Sequence, residues 1–303
     1  PGGLRLYVEA PRHDRVGIGA GKPRAPAAAA RPFGLATVLV LASLAVLAFA
    51  GNSLIARYAL AGGGITPIAF SVVRLATGAI VLAPLLLLGR GGTWNFGGGL
   101  SLFAYVAMFS WAYVELPAAT GALILFAVVQ ATILLAGMAR GERVGWLGWT
   151  GLVLSLSGLA VLLVPQVQGG RLLPSAFLAV AGIAWGVYAT VGPAAAALGR
   201  YDARRFASGA VLALPLLAFD MTVPETRGVL LAMLSGAVTS GLGYVIWNRV
   251  SPSLGLATLA TVQLATPLVA ALGGIALLGE LVTRELIVAG VLIVAGIGLT
   301  LRR

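Results

Sequence analysis

Residues 34–59 read GLATVLVLASLAVLAFAGNSLIARYA, and from Pro32 to Ala56 no side chain carries a charge. A helix rises about 1.5 Å per residue, so about 20 such residues cross the hydrocarbon core of a bilayer. Backbone N–H and C=O groups find no water in that core, so they must bond within the segment, and the run is read as a helix. A barrel strand would alternate apolar and polar over about ten residues. Leu85-Leu-Leu-Leu88 and Ala194-Ala-Ala-Ala197, farther along, do not alternate either.

Nine further runs of this kind follow, at 67–88, 97–115, 118–139, 145–164, 174–196, 206–220, 229–248, 254–278 and 285–301. The connectors between many of them are brief, among them Gly62-Gly63-Gly64, Glu115-Leu116-Pro117, Arg140 to Val144 and Ser251-Pro252-Ser253. Connectors this short make successive helices antiparallel neighbours. The expected fold is all-α and integral to a membrane, with ten transmembrane helices. Composition agrees: 59% of the 303 residues are hydrophobic and 10% charged, against about 25% charged in soluble domains. Residues 1–32 are rich in Pro, Gly, Ala and Arg, hold no spanning run, and are read as a disordered basic cytoplasmic tail.

The net charge of +11 does not point to nucleic acid, because the basic residues lie between the apolar runs instead of clustering in a soluble domain. They report orientation. Arg5, Arg12, Arg15, Lys22, Arg24 and Arg31 lie in the tail; Arg90, Arg140, Arg143, Arg200, Arg204, Arg205 and Arg249 fall in alternate loops on the same side, with Arg302 and Arg303 at the end. The other side has Arg171, Arg227 and Arg284, with Arg57 close to it. Both termini are expected in the cytoplasm, and the membrane is expected to be the bacterial cytoplasmic (inner) one.

An internal repeat runs through the chain. Gly141-Glu142 and Gly279-Glu280 lie 138 positions apart, as do Gly158 and Gly296, and Thr120 and Thr258; Ala50-Gly51 resembles Trp185-Gly186 at an offset of 135. Two five-helix halves are expected, 33–165 and 172–303. Five is odd, so the second half is inverted in the membrane, as in many secondary transporters, whose substrate site lies near the midplane between the halves.

These features resemble the drug/metabolite transporter superfamily, EamA-like branch: the repeated Gly-Glu after the fourth and ninth runs, Gly51-Asn52 in the first, Ile65-Thr-Pro67 opening the second, Arg74 within it, and Ala184-Trp-Gly186 in the sixth. The resemblance covers about residues 33–302. The stretch Leu125-Phe-Ala-Val-Val-Gln130 through Gly141-Glu-Arg143 is similar, more narrowly, to the YddG-type aromatic amino-acid exporters. The resemblance implies export of aromatic amino acids and related compounds by alternating access. Another metabolite class, sugar conjugates or drugs, is the alternative.

Polar and aromatic side chains at mid-helix depth are the substrate-binding candidates, because burying them costs free energy unless they are partnered. They are Asn52, Tyr105, Gln130, Trp185, Tyr188, Ser240, Tyr244 and Gln263. Rings suit an aromatic side chain and amides suit an amino or carboxylate group; a Gln bridging two helices or a Trp filling a gap is the competing reading. Arg74 has two readings: partner of a substrate carboxylate, or a side chain that caps carbonyls or snorkels outward. Arg57 is expected to snorkel. Pro193, Pro215 and Pro267 fall inside expected helices, where each removes a backbone bond; Pro193 and Pro267 are the hinge candidates, with packing kinks as the simpler alternative. Gly137-x-x-x-Gly141 and Gly182-x-x-x-Gly186 have helix-contact spacing.

Enzyme chemistry finds little to work with. The only histidine, His13, lies in the tail, there is no cysteine, and no Gly-x-x-x-x-Gly-Lys-Ser/Thr loop occurs. None of the nine acids falls near the centre of an expected span, so no buried-carboxylate proton relay is expected, and the substrate is expected to be neutral or zwitterionic. Glu142 and Glu280 are expected to bond backbone or Arg. No cofactor and no metal are expected; the expected partners are a small-molecule substrate and the lipid bilayer, no nucleic acid, with the chain a monomer or weak homodimer.

Overall fold

The computed structural model describes residues 33–87, 96–141, 144–190, 198–250 and 256–300. Every regular element among them is helical: α1 (Leu35–Ala61), α2 (Pro67–Leu87), α3 (Phe96–Tyr113), α4 (Ala118–Ala139), α5 (Trp146–Gln168), α6 (Leu172–Thr190), α7 (Leu198–Ala213), α8 (Thr226–Leu234), α9 (Gly243–Val250), α10 (Leu256–Leu278) and α11 (Arg284–Thr300). A π-helical stretch, Ser235–Leu242, joins α8 to α9 without a break. Among the described residues, six helical spans are long and apolar enough to cross a membrane: Ala36–Ala61, Pro67–Leu86, Ala118–Ala139, Trp146–Gln168, Leu172–Thr190 and Thr226–Trp247. Outward faces carry apolar side chains such as Ile80, Trp146, Val153, Leu230 and Val291, a surface suited to lipid rather than water. The tail, Glu142, Arg143 and Pro193 lie outside the described residues.

Six elements end within two residues of the expected bounds at both ends; the seventh does not. The sequence places a span at 206–220 and leaves Arg200, Arg204 and Arg205 in a loop. The helix instead runs Leu198–Ala213, followed by a 3-10 turn at Leu214–Phe219. Hydropathy misses it because Asp202 and Arg205 are charged yet buried, and both bond Tyr188 on another helix. Pro215, lacking an N–H, sits where the α-helix has already given way to that turn. Pro165 shows the opposite error. The run expected to end at 164 continues as α5 to Gln168, with Pro165 inside its last turn. Pro84 is a further proline inside a helix, α2.

Local chemistry explains the helix ends. Thr66 accepts a hydrogen bond from the Ala69 N–H (3.0 Å) and so caps α2. Its hydroxyl also donates to Asp220, and hydrogen bonds from Thr222 and Thr66 hold that carboxyl below its ordinary pKa. The Ile65-Thr-Pro67 motif is therefore an anchored helix start. Gly141 and Gly279 both have positive φ, 87° and 66°, the left-handed conformation that ends a helix without a Cβ clash. Glu280, just past Gly279, accepts the Ala118 and Ala119 N–H groups at 2.5 and 2.9 Å, an acid at the positive N-terminus of α4. Arg57 does not snorkel. It donates to the carbonyls of Val114 (2.7 Å) and Tyr113 (3.3 Å) at the end of α3.

Glycines set the closest crossings. A Cβ on Gly182 would meet Val128 and on Gly186 Thr132, so this pair seats α6 on α4. Gly137 and Gly141 form no such pair, because Gly141 lies in the turn beyond α4. Where α5 packs on α11, a Cβ on Gly296 would stand 2.5 Å from the Gly151 oxygen, and one on Gly158 3.0 Å from the Ala289 oxygen. Between these contacts the Ser155 hydroxyl donates to the Ile293 carbonyl (3.4 Å). The pairs 151–296 and 158–289 exchange under a shift of 138, and 155–293 maps onto itself. Where α2 packs on α7, a Cβ on Gly78 would meet the Phe206 ring and one on Gly209 would meet Leu75, a reciprocal pair under a shift of 131.

One methyl group tests the crossing. Gly296→Ala forces α5 and α11 apart and is expected to destabilise by about 1–3 kcal/mol. Gly290→Ala adds the same methyl at 3.8 Å from Leu123 and is expected to be neutral or slightly stabilising. Thermal unfolding of the purified variants in detergent compares them; equal melting temperatures would remove the close-crossing account.

Candidate functional site

The polar centre begins with Asn52 on α1, which is 1% exposed. Its Oδ1 accepts from the hydroxyls of Thr239 (2.6 Å) and Ser235 (2.8 Å), with Ser240 farther at 3.4 Å. Its Nδ2 donates to the Thr239 carbonyl (3.4 Å). All three hydroxyls belong to the π-helical stretch, whose i→i+5 bonding brings Ser235 and Ser240 onto the face that also carries Thr239. The Gly51-Asn52 motif thus sews α1 to the second half of the chain.

Arg74 on α2 is fully buried. Its Nε donates to Ser240 (3.2 Å) and its Nη2 to the Tyr105 hydroxyl on α3 (3.3 Å). The guanidinium carbon stands 4.9 Å from the Phe109 ring centroid and 5.3 Å from that of Tyr105, within cation–π range. Nη1 has no hydrogen-bond partner. Neither carbonyl capping nor snorkelling describes this side chain.

Rings from five helices close around these groups. Trp185 on α6 meets Tyr105 edge-on at 4.5 Å and lies 6.0 Å from Phe49 and 5.9 Å from Tyr244. Tyr244 on α9 also touches Phe49 (5.4 Å), Phe206 (5.7 Å) and Tyr188 (5.8 Å), and its hydroxyl has no hydrogen-bond partner. Edge-on pairs at these spacings add about 0.5–1.5 kcal/mol each beyond area burial. Trp185 is only half-buried, so the cluster is not sealed on every side.

A second charged group lies against the cluster. The Tyr188 hydroxyl donates to Asp202 (2.5 Å), while Arg205 donates to the Tyr188 carbonyl (2.9 Å) and to the Tyr201 hydroxyl (3.1 Å). The Arg205 guanidinium stacks on the rings of Tyr201 and Tyr188 at 4.0 and 4.1 Å. Asp202 is 4% exposed and Arg205 2%. Asp202, which the sequence places in a loop outside the expected spans, is thus a buried carboxylate within α7, whereas Glu115 stays on the surface.

Of the residues singled out in the sequence, Asn52, Arg74, Tyr105, Trp185, Tyr188, Ser240 and Tyr244 come together. Gln130 does not join them; its amide donates to Thr300 (3.0 Å) and ties α4 to α11. The side chain of Gln263 and all of Pro193 lie outside the described residues. Pro267 is buried within α10. Sequence reasoning missed Phe49, Phe109, Ser235, Thr239, Asp202 and Arg205. Arg205 corresponds to Arg74 under the shift of 131 that the α2–α7 contacts set, a register the sequence offsets of 135 and 138 did not give.

Membrane-spanning helices around a small polar and aromatic centre define a multi-pass membrane transport protein. The model of the EamA-like transporter family matches residues 173–302. An uncharacterised protein of Pseudomonas aeruginosa is 43% identical over 275 residues, covering 87% of this chain and 94% of its own. This chain belongs to the EamA-like transporter family of the drug/metabolite transporter superfamily. A protein of Streptantibioticus cattleyicolor described as a probable terminal-alkyne amino-acid exporter is 29% identical over 217 residues, 68% of this chain and 71% of its own. A solved crystal structure shares the fold at TM-score 0.60 and 20% identity, over 88% of this chain and 98% of that one.

The Asn52 hub generates a test. Asn52→Ala takes from the buried Ser235 hydroxyl its acceptor and from Thr239 one of two, and is expected to cost about 1–3 kcal/mol. Asn52→Asp keeps the oxygen that accepts both hydroxyls but loses the Nδ2 donor to the Thr239 carbonyl, and is expected to fall between wild type and alanine. Unfolding midpoints in detergent give the order; an alanine variant as stable as wild type would dismiss the hub.

Proposed function

We propose that this chain is a secondary transporter that exports small amphipathic metabolites, chiefly aromatic and other neutral amino acids, by alternating access. The observation that carries the reading is the composition of the centre: Trp185, Tyr105, Tyr244 and Phe49 offer ring faces and edges, while Asn52, Arg74 and Ser240 offer polar atoms. An aromatic amino acid presents the same two chemistries on one small frame. The description of the Streptantibioticus cattleyicolor relative as a probable terminal-alkyne amino-acid exporter favours this class over sugar conjugates or drugs.

The moving parts of the proposal are two inverted five-helix halves, 33–165 and 172–303. The reciprocal contacts support them: Gly151–Gly296 with Gly158–Ala289, and Gly78–Phe206 with Gly209–Leu75, are what a two-fold axis in the membrane plane would give. Helix pairing follows the same rule, since α3 packs on α6 as α1 packs on α9, and α4 on α6 as α1 on α10. The proposal keeps both termini in the cytoplasm, from the distribution of arginines. Pro267 remains the hinge candidate within the described residues, and Pro267→Ala is expected to slow transport more than it weakens binding.

Counterflow in proteoliposomes tests the reading, with labelled phenylalanine, tryptophan and threonine, with and without a pH gradient. Exchange of the two aromatic amino acids without a gradient is expected. Trp185→Ala is expected to weaken phenylalanine by about tenfold. No exchange of any amino acid would return the question to the other metabolite classes.

A further inference from the structure

Two arginines occupy equivalent places in this bundle, and among the described residues only one of them, Arg205, shares an aromatic residue with an acid. The reciprocal contacts of α2 and α7 fix the register: Gly78 with Phe206, and Gly209 with Leu75. In that register Arg74 corresponds to Arg205, and both are buried with their guanidinium groups over aromatic rings. One turn earlier, Asp202 in α7 corresponds to Ser71 in α2. Asp202 shares Tyr188 with Arg205, accepting its hydroxyl while Arg205 stacks on its ring. Ser71 instead spends its hydroxyl on the Pro67 carbonyl (2.7 Å) and on Ser110 (2.9 Å).

We infer that the binding site carries a positive charge at Arg74 that no acid among the described residues compensates, and that the anionic group of the substrate, a carboxylate, is its missing counter-ion. A buried charge without a counter-charge is costly, and bundles normally pair it. The Arg205 cluster, built from the same frame, has the Asp202 carboxylate on the hydroxyl of the Tyr188 ring over which Arg205 stacks. Arg74 makes two neutral hydrogen bonds and has one fully buried nitrogen, Nη1, with no partner. A planar carboxylate accepts from Nη1 and Nη2 together, the geometry in which arginine binds carboxylates best. The ring beside it, Tyr105, is also the ring that Trp185 meets, so acid and side chain of one ligand are served from neighbouring surfaces. Substrate choice then rests on the acid: amines of the same shape place a second positive charge against Arg74.

This inference rests on the proposed site but not on the substrate being an amino acid. The test measures binding by the thermal shift of the purified full chain with phenylalanine, 3-phenylpropionate, phenethylamine and 2-phenylethanol. The two acids are expected to stabilise it, and the amine and alcohol are not. Ser71→Asp supplies in α2 the acid that α7 already has. It is expected to weaken both acids by about tenfold or more and to narrow or reverse the preference of acid over amine. Ser71→Asn, without the charge, is expected to keep the wild-type order of the four compounds. Because the readout is the order of ligands, a general loss of stability does not imitate it. If the amine or alcohol stabilises wild type as well as the acids do, or Ser71→Asp leaves the order unchanged, the inference is overturned. If 3-phenylpropionate binds and phenylalanine does not, the missing counter-ion stands and the amino-acid reading falls.

Discussion

Inside an apolar bundle a donor must find its acceptor on a neighbouring helix, because water does not reach it. That constraint governs this molecule more than any single contact. Asn52 answers it by gathering hydroxyls from the π-helical stretch, Arg57 by closing the carbonyl end of α3, and Glu280 by taking the exposed N–H groups of α4. In each case a polar group that would be a liability alone becomes a link between elements distant in sequence. Leaving such a buried group unmet costs about 1–3 kcal/mol, enough to fix which helices touch. Apolar packing supplies cohesion, but leucine on leucine specifies little in a bundle facing lipid.

The same constraint explains what was legible beforehand. Apolar runs announce helices because hydrocarbon allows nothing else, so α1, α2 and α4 agree closely with the runs read for them. Asn52, Arg74, Tyr105 and Trp185 were legible because polar and large aromatic residues deep in such runs demand a reason. Asp202 and Arg205 were illegible for the converse reason. Their charges lowered the local hydropathy, and the residue that makes their burial tolerable, Tyr188, lies on another helix. Gln130 failed differently: depth alone does not tell a group facing the centre from one bridging α4 and α11. The second half of the repeat held the missing information, since aligning α7 on α2 places Arg205 where Arg74 stands.

The inverted repeat proposed above also marks where its two halves would cease to be equivalent. The α5–α11 crossing keeps the symmetric contacts at Gly151, Gly158 and Gly296, because close approach of backbones needs small residues on both sides. The centre does not keep them. Asn52 has its hydroxyl partners in α8's continuation, and the π-helical geometry there aligns them; α3, which holds the corresponding place, is α-helical throughout. A scaffold that rocks requires matched halves, whereas a site that binds a small asymmetric molecule requires unmatched ones. The departures from symmetry lie at Asn52, Ser71 and the π-helical stretch, all beside the aromatic cluster.

The aromatic cluster has a further consequence for motion. Its rings come from α1, α3, α6, α7 and α9, so any opening between these helices breaks several edge-on contacts at once. With about 0.5–1.5 kcal/mol in each pair beyond area burial, separating Trp185 from Tyr105, Phe49 and Tyr244 costs a few kcal/mol. A carrier that had to meet that cost unaided would open rarely. In the carrier proposed above, a substrate ring entering between Trp185 and Tyr244 would replace the lost contacts with equivalent ones, and the loaded protein would open and close over a smaller barrier than the empty one. Aromatic lining in a carrier therefore serves recognition and coupling together: the ligand that fits the rings is the ligand that lets them part.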